Sequence, residues 1–153
     1  MENQFQLLPR RLLPNTILPR SLRKQIETDP LPAAILWVEM FLRPGWVRIA
    51  EYIYWKICNV IKPDRAKQMT VGLAQMKVYL WQEFMRVEFD KIPTIEDWEN
   101  PIMNYYAANW YLSQKEVSSL LDVSIVYTGN ANEFYIRLLH EALARLMEVD
   151  VII

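Results

Sequence analysis

Glycine is scarce in this chain, with three residues in 153, namely Gly45, Gly72 and Gly129. Average glycine usage would give about eleven in a chain of this length. Tight turns between β-strands depend on glycine and on Asn-Gly pairs, and the chain has few of either. The shortage argues against an all-β fold and favours helices. Because 52% of the residues are hydrophobic, one domain of this length has ample material for a core.

Cysteine and histidine occur once each, as Cys58 and His140. An internal disulfide is therefore excluded, and a zinc site built from these residue types is nearly excluded. Catalysis by a hydroxyl or thiol with a histidine base would depend on His140 alone, which lies in a strongly helical run. We expect no metal and no cofactor, and we expect Cys58 to lie in the core.

Net charge is also low, at −1, but it is unevenly distributed. Residues 1–28 hold five basic and two acidic side chains, a net charge of +3, and the remainder of the chain carries −4. A protein that binds nucleic acid needs a basic face, so we expect no nucleic-acid partner for a body of this sign.

Long apolar runs are missing as well. The chain has no uninterrupted run of about 20 apolar residues, so no transmembrane segment is predicted. Its N-terminus lacks the continuous apolar stretch of a secretory signal. The sequence therefore predicts a protein that is cytoplasmic as synthesised. Such a protein would need export or lysis-linked release to reach a substrate in the cell wall.

Proline punctuates the beginning of the chain, at Pro9, Pro14 and Pro19. Each proline disfavours helix at the residue before it. We predict that residues 1–29 form an N-terminal arm with a short helix and that residues 30–153 form one helical domain. The arm is expected to be extended and to lay its leucines on the body. A peptide that binds a protein partner is the alternative.

Apolar residues recur at helical spacing through most of the remaining chain. The spacing is clearest after Pro44, where Trp46, Ile49, Ile53 and Ile57 follow the pattern of an amphipathic helix. Helices are predicted at residues 21–27, 33–42, 45–61, 70–88, 101–113, 115–127 and 131–148, with a loop at 90–100. The predicted fold is all-α, with about six helices in the main domain.

One carboxylate stands in an otherwise apolar stretch, AAILWVEMFLRP, as Glu39. Its sequence neighbours include Trp37, Val38 and Met40, and burial among such side chains raises the pKa of a carboxyl group. A carboxyl that stays protonated near neutral pH can act as a general acid, for example toward the oxygen of a glycosidic bond. The alternative is a salt bridge to Arg43, one helical turn later.

Gly72 and Gln75 lie together in the stretch TVGLAQM. A glycine inside a helix costs about 1 kcal/mol relative to alanine, so a rare glycine here indicates a close approach of the backbone to another group. Gln75 offers both a donor and an acceptor to a sugar. A packing glycine with a surface glutamine is the alternative.

Tyr127, before a turn, places a phenol where it could reach a carboxyl group.

The order of four stretches resembles the lysozyme-like superfamily, in its soluble lytic transglycosylase and goose-type lysozyme branch. The resemblance covers residues 31–147 and rests on these parts: Glu39 as the glutamate near a helix end; GLAQM, with Gly72, Leu73, Gln75 and Met76; NPIMNYYAANWYL, with Asn104 and Tyr111-Leu112; and YTGN, with Tyr127 and Gly129, before the helix FYIRLLHEAL. The family's serine after the glutamate is Met40 here, and its asparagine after the tyrosine is Thr128.

The resemblance implies a lysozyme-like domain that cleaves peptidoglycan glycan strands between N-acetylmuramic acid and N-acetylglucosamine. Glu39 would be the catalytic acid and base. The implied substrate-binding residues are Gly72, Leu73, Gln75, Met76, Asn104 and Tyr127. We add Trp98, in the loop before Asn100, as a candidate for stacking on a sugar, with a place in the core as the alternative.

A second carboxylate would favour hydrolysis, in which it positions the attacking water. The candidates are Glu51, Asp90 and Asp97, and a pairing of Glu51 with Arg48 or Lys56 is the stronger expectation for the first. Without a convincing second acid, the sequence favours transglycosylase chemistry, in which the sugar's own 6-hydroxyl attacks. The alternatives are a non-catalytic helical interaction module with a degenerate lysozyme-like fold and a peripheral membrane protein that uses the basic arm.

Overall fold

The computed structural model describes residues 19–148, so the predicted proline arm up to residue 18 lies outside the described residues. A 3-10 helix, Arg20–Leu22, precedes nine α-helices in this part of the chain. They are α1 (Arg23–Thr28), α2 (Leu31–Leu42), α3 (Gly45–Ile61), α4 (Pro63–Gln68), α5 (Val78–Phe89), α6 (Ile95–Glu99), α7 (Pro101–Gln114), α8 (Leu120–Thr128) and α9 (Glu133–Glu148). The prediction of a mainly all-α fold is confirmed.

Helix α2 is the centre of the domain. Every residue from Pro32 to Glu39 is buried, and the helix packs against α7 and α9. A helix that is apolar on all sides can be stable only inside a protein, because no face of it is suited to water. The position of α2 therefore follows from its composition, and it carries Glu39 into the core.

The stretch 70–77 forms a small β-hairpin, which corrects the prediction of one helix over residues 70–88. Strand β1 (Thr70–Val71) pairs antiparallel with β2 (Met76–Lys77), and α5 begins only at Val78. Between the strands, Gly72 and Gln75 have φ values of +83° and +49°. A right-handed helix cannot include residues in this left-handed region, so the turn ends any helix here.

Side-chain caps set several boundaries in the second half of the chain. Thr94 and Ser119 each form a capping box, with Asp97 and Asp122 respectively, at the starts of α6 and α8. Asn100 accepts hydrogen bonds from two backbone N–H groups at the start of α7. The short helix α6 lies inside the predicted loop 90–100, and α8 begins at Leu120 rather than at residue 115. Both differences follow from capping by side chains at the helix starts. The spacing of apolar residues, from which the helices were predicted, does not indicate where such caps form.

The apolar face of helix α3 points away from the core. Trp46, on this face, is 75% exposed. The side of α3 that packs on the body instead carries Arg48, Tyr52 and Cys58, all buried. The expected burial of Cys58 is thus confirmed. None of the helices within residues 19–148 is both long enough and apolar enough to cross a membrane.

Candidate active site

Glu39 lies in the last turns of α2 and is 7% exposed. The hydroxyl of Tyr135, a buried residue of α9, donates a hydrogen bond of 2.7 Å to Oε1 of Glu39. The central helix and the C-terminal helix thus meet at this carboxyl group. One hydrogen bond from a neutral phenol leaves the carboxyl poorly solvated compared with water.

This environment raises the pKa of Glu39 to about 7, because burial disfavours the charged carboxylate. The hydrogen bond from Tyr135 and the nearby positive charge of Arg43 act in the opposite direction and lower the pKa. The negative charge of Glu51 raises it further. Glu39 therefore exchanges its proton in the neutral pH range, as a general acid and base must.

Glu51 forms the second part of the site, on the face of α3 that packs on the body. Its Oε1 is paired with the guanidinium of Arg43, and its Oε2 accepts a hydrogen bond of 3.3 Å from the amide of Gln75. Neither expected partner of Glu51 is involved, since Arg48 pairs with Glu99 at 2.9 Å. Arg43 forms its ion pair with Glu51. This ion pair takes the place of the salt bridge between Arg43 and Glu39 that was the alternative from the sequence.

Gln75 is held rigidly in the hairpin turn. Its amide donates to the carbonyl of Gly72 at 3.0 Å, and its side-chain oxygen accepts from the hydroxyl of Thr70 at 2.9 Å. With its third contact to Glu51, the side chain has few hydrogen-bonding positions left for a sugar. In the described conformation, the amide of Gln75 therefore orients the carboxylate of Glu51.

Tyr127 lies against Tyr135, with ring centroids 6.5 Å apart and an angle of 16° between the planes. Its hydroxyl is buried and has no hydrogen-bond partner among the described residues. Burial raises the pKa of Tyr127 well above its ordinary value, and the charge of Glu39 adds to the effect. The phenol therefore stays protonated beside Glu39, with an unused hydrogen bond to offer.

Asn104 has a structural role in the described conformation, because its side chain is completely buried. It accepts a hydrogen bond of 3.0 Å from the backbone N–H of Ala74 and donates to the carbonyls of Trp98 and Asn100 at 2.8 and 2.7 Å. These bonds tie the hairpin turn to α6 and α7. They occupy the side chain in the described conformation, and the binding role expected for Asn104 stays a prediction.

Gly72 is needed for this attachment. A Cβ atom at Gly72 would stand 3.0 Å from Oδ1 of Asn104 and 3.0 Å from the carbonyl oxygen of Trp98. The close backbone approach that the sequence indicated is therefore present, and it is toward other parts of the same chain. Gly72 shapes the turn that carries Gln75.

Trp98 is 1% exposed in the described conformation, which agrees with the place in the core given as the alternative to stacking on a sugar. Its ring packs edge-on against Trp55, with centroids 4.8 Å apart, and is stacked with Tyr52 at 5.9 Å. Leu73 and Met76 are buried as well. All three belong to the core that supports the hairpin, because their large apolar surfaces are worth most when they are removed from water.

The structure thus brings Glu39, Gln75 and Tyr127 into one polar cluster, joined by Glu51 and Tyr135. Two surface pockets on the described part of the chain are lined by residues 24–29 with 105–109 and by residues 82–93, and neither of these two includes a member of the cluster. The cluster reaches solvent through Arg43 and Glu51, whose side chains are partly exposed.

Sequence reasoning did not find Tyr135. In the sequence it is one aromatic residue among the apolar positions of the last helix, and only the packing of α9 on α2 brings its hydroxyl to Glu39. The partner of Glu51 was assigned incorrectly for the same reason. Within residues 19–148 no group of three or more His, Cys, Asp or Glu side chains is arranged to hold a metal ion.

Comparison with known proteins returned no match for this chain, whether among protein-family models, curated proteins or solved structures.

Proposed function

We propose that this protein is a lysozyme-like glycosidase that cleaves peptidoglycan glycan strands between N-acetylmuramic acid and N-acetylglucosamine, with lytic transglycosylase chemistry. The observation that carries the proposal is the position of Glu39, whose carboxyl is buried where α2 meets α9 and binds Tyr135, and burial raises its pKa to about 7. A carboxyl group with a raised pKa is what enzymes that cleave glycosidic bonds use as their general acid.

Glu39 performs both proton transfers in this mechanism. Its protonated carboxyl donates a proton to the bridging oxygen as the glycosidic bond breaks, and the leaving sugar departs with a new hydroxyl group. The resulting carboxylate then takes the proton of the muramic acid 6-hydroxyl, whose oxygen bonds to the anomeric carbon. The product is an anhydro sugar, water is not consumed, and Glu39 ends protonated as it began.

Glu51 acts on Glu39 rather than on a water molecule. Both of its carboxylate oxygens already have partners, Arg43 on one side and Gln75 on the other. A base that positions water needs a free oxygen directed at the substrate. Glu51 instead places a negative charge near Glu39, which helps to keep that carboxyl protonated at neutral pH. This favours the chemistry that uses a single glutamate.

Digestion of purified peptidoglycan sacculi by the full-length protein tests the proposal. We expect release of soluble muropeptides whose masses show anhydro ends, lighter by one water than hydrolysed ends. Glu39→Gln should abolish release, because the amide keeps the shape and can accept the hydrogen bond from Tyr135 but has no acidic proton to transfer.

Glu83→Gln is the matched control, since Glu83 is an exposed glutamate of α5, and it should retain full activity. Equal release by the wild type and by folded Glu39→Gln protein would contradict the role of Glu39. Release of products with ordinary reducing ends, abolished by Glu39→Gln, would assign a hydrolase instead.

A non-catalytic helical interaction module is the second candidate. The 7% exposure of Glu39 favours it, because a general acid has to touch its substrate. Under this hypothesis Glu39, Tyr135 and Tyr127 form an internal polar network, and no muropeptides are released at any pH between 5 and 8, the range in which Glu39 changes its protonation state.

A further inference from the structure

One face of α3 is an unpartnered apolar stripe. Six of its side chains are each between 51% and 83% exposed: Trp46, Ile49, Ile53, Ile57, Val60 and Ile61. We call this set the α3 stripe. Its members recur every three or four residues, so they share one side of the helix over its whole length. Contiguous apolar surface of more than a few hundred Å² usually marks an interaction site.

Positive charge predominates along the second half of the α3 stripe, where Lys56, Lys62 and Arg65 outnumber the exposed carboxylate of Asp64. Lys56 is exposed on α3 itself, Lys62 follows at its end, and the guanidinium of Arg65 lies 5.6 Å from the ring centre of Tyr54 at the edge of the stripe. The single acidic residue of α3 is Glu51, which lies on the opposite face and is paired with Arg43. The surface therefore combines a long apolar stripe with a cationic border.

This combination discriminates between possible occupants. A second copy of the chain would bring another surface with the same excess of positive charge, since Lys56, Lys62 and Arg65 recur in each copy. Residues 1–18 carry Arg10 and Arg11 with only Glu2, so they too would add like charge. A surface that is apolar inside and negatively charged outside complements both parts of the stripe, and an anionic phospholipid bilayer has this composition.

We propose that the α3 stripe binds in the plane of an anionic phospholipid surface, with Trp46, Ile53 and Ile57 at the boundary of the acyl chains and Lys56 and Lys62 among the headgroups. The helix lies on the bilayer and does not cross it. The proposal is independent of the chemistry of Glu39, because that residue belongs to a different helix and the stripe points away from the core.

Flotation of the full-length protein with lipid vesicles tests this assignment. We expect binding to vesicles of phosphatidylcholine mixed with phosphatidylglycerol that is about tenfold or more tighter than binding to phosphatidylcholine alone, and that weakens with added salt. Tryptophan fluorescence should shift to the blue on binding, and Trp46→Phe should remove most of the shift, since Trp46 is highly exposed.

The apolar contribution is tested with Ile53→Gln combined with Ile57→Gln, which should weaken binding to anionic vesicles by about tenfold or more. The matched control is Val87→Gln combined with Ile92→Gln, two exposed apolar residues outside α3, and it should bind like the wild type. Both pairs exchange exposed apolar side chains for glutamine, and circular dichroism checks that each variant is folded.

The cationic border is tested with Lys56→Gln combined with Lys62→Gln, against Lys24→Gln combined with Lys115→Gln as exposed controls. The first pair should bind anionic vesicles about tenfold less tightly and the second should be unchanged. The proposal would be overturned if the protein did not float with anionic vesicles or if it bound both lipid mixtures equally. It would also be overturned if sedimentation showed dimers that are dissociated by Ile53→Gln combined with Ile57→Gln but not by lipid.

Discussion

A single buried carboxyl group, that of Glu39, experiences opposing effects of its surroundings. Burial and the charge of Glu51 favour the protonated form, whereas Tyr135 and Arg43 favour the carboxylate. Burial is the largest effect, so the pKa is raised from 4.5 to about 7. A raised pKa means that the folded state holds this proton more tightly than the unfolded chain does, which makes stability depend on pH.

The stability of the protein should therefore fall as pH rises from 4.5 to about 7, the interval between the ordinary pKa of Glu39 and its raised value. Below this interval Glu39 is protonated in both the folded and the unfolded protein, so the free energy of unfolding does not change with pH on its account. Above it the folded protein has to hold a carboxylate in the core, at a cost of about 3 kcal/mol. Urea unfolding of wild type and Glu39→Gln across this range measures the effect, since the variant should lack that part of the pH dependence.

Tyr135→Phe should raise the pKa of Glu39 above about 7, because it removes the hydrogen bond that stabilises the carboxylate. The unfolding free energy should also drop, by about 1 to 3 kcal/mol. Titration of the Glu39 side chain by ¹³C NMR measures the pKa. Tyr79→Phe, at a partly exposed tyrosine of α5, is the control and should leave it unchanged. A pKa that does not move in Tyr135→Phe would show that the phenol does not bind the carboxyl.

At the scale of the elements, the β-hairpin of residues 70–77 carries the site because α6 and α7 hold it. The backbone N–H of Leu73 donates to the carbonyl of Trp98 at 3.1 Å, and Asn104 bonds to Ala74 and Trp98. A two-stranded hairpin of this size is not stable alone. Helices that come later in the chain therefore fix the geometry of the hairpin. They also fix the position from which Gln75 donates its hydrogen bond to Glu51.

Gly72→Ala should destabilise the protein more than Gly129→Ala. Both glycines have a φ of +83°, so both variants incur the cost of a left-handed alanine, about 1 kcal/mol. Only Gly72 has atoms at 3.0 Å from the added Cβ, whereas Gly129 has nothing within 4 Å. Chemical denaturation of both variants measures the difference, which is the cost of the close approach. Equal losses would mean that the turn can relax away from Asn104.

The hairpin also marks a limit of sequence reasoning for elements. Residues 70–88 carry apolar side chains at helical spacing, and α5 confirms that pattern from Val78 onward. The first part of the run became strands because Gly72 and Gln75 adopt left-handed backbone. The side chain of Gln75 in this conformation bonds to Thr70 and Gly72 in the same hairpin and to Glu51 in α3. The first two contacts are local, whereas the third depends on the packing of α3.

At the scale of the whole molecule, two helices with many apolar residues lie in opposite environments. Helix α2 is enclosed by α7 and α9, whereas α3 places its apolar stripe in solvent and its polar face on the body. The ion pairs of Arg48 with Glu99 and of Arg43 with Glu51 lie on that inward face. Polar contacts of this kind fix the rotation of α3 about its own axis.

Matched substitutions of isoleucine should reveal this difference. Ile35→Ala, at a side chain with 0% exposure, should destabilise the protein by about 2 to 5 kcal/mol, because it leaves a cavity in the core. Ile53→Ala, at 58% exposure, should change stability by less than about 0.5 kcal/mol. Thermal and urea unfolding measure both. A large loss in Ile53→Ala would mean that the stripe is covered in the protein alone.

The all-α class, the burial of the stretch around Glu39 and the close approach at Gly72 could be predicted from the amino-acid sequence. These follow from side-chain type and from backbone freedom, which are properties of short segments. The grouping of Tyr135 and Glu51 around Glu39 and the outward direction of the α3 stripe could not be predicted in this way. Spacing along a helix defines a face, but which partner meets that face depends on the packing of segments that are distant in the chain.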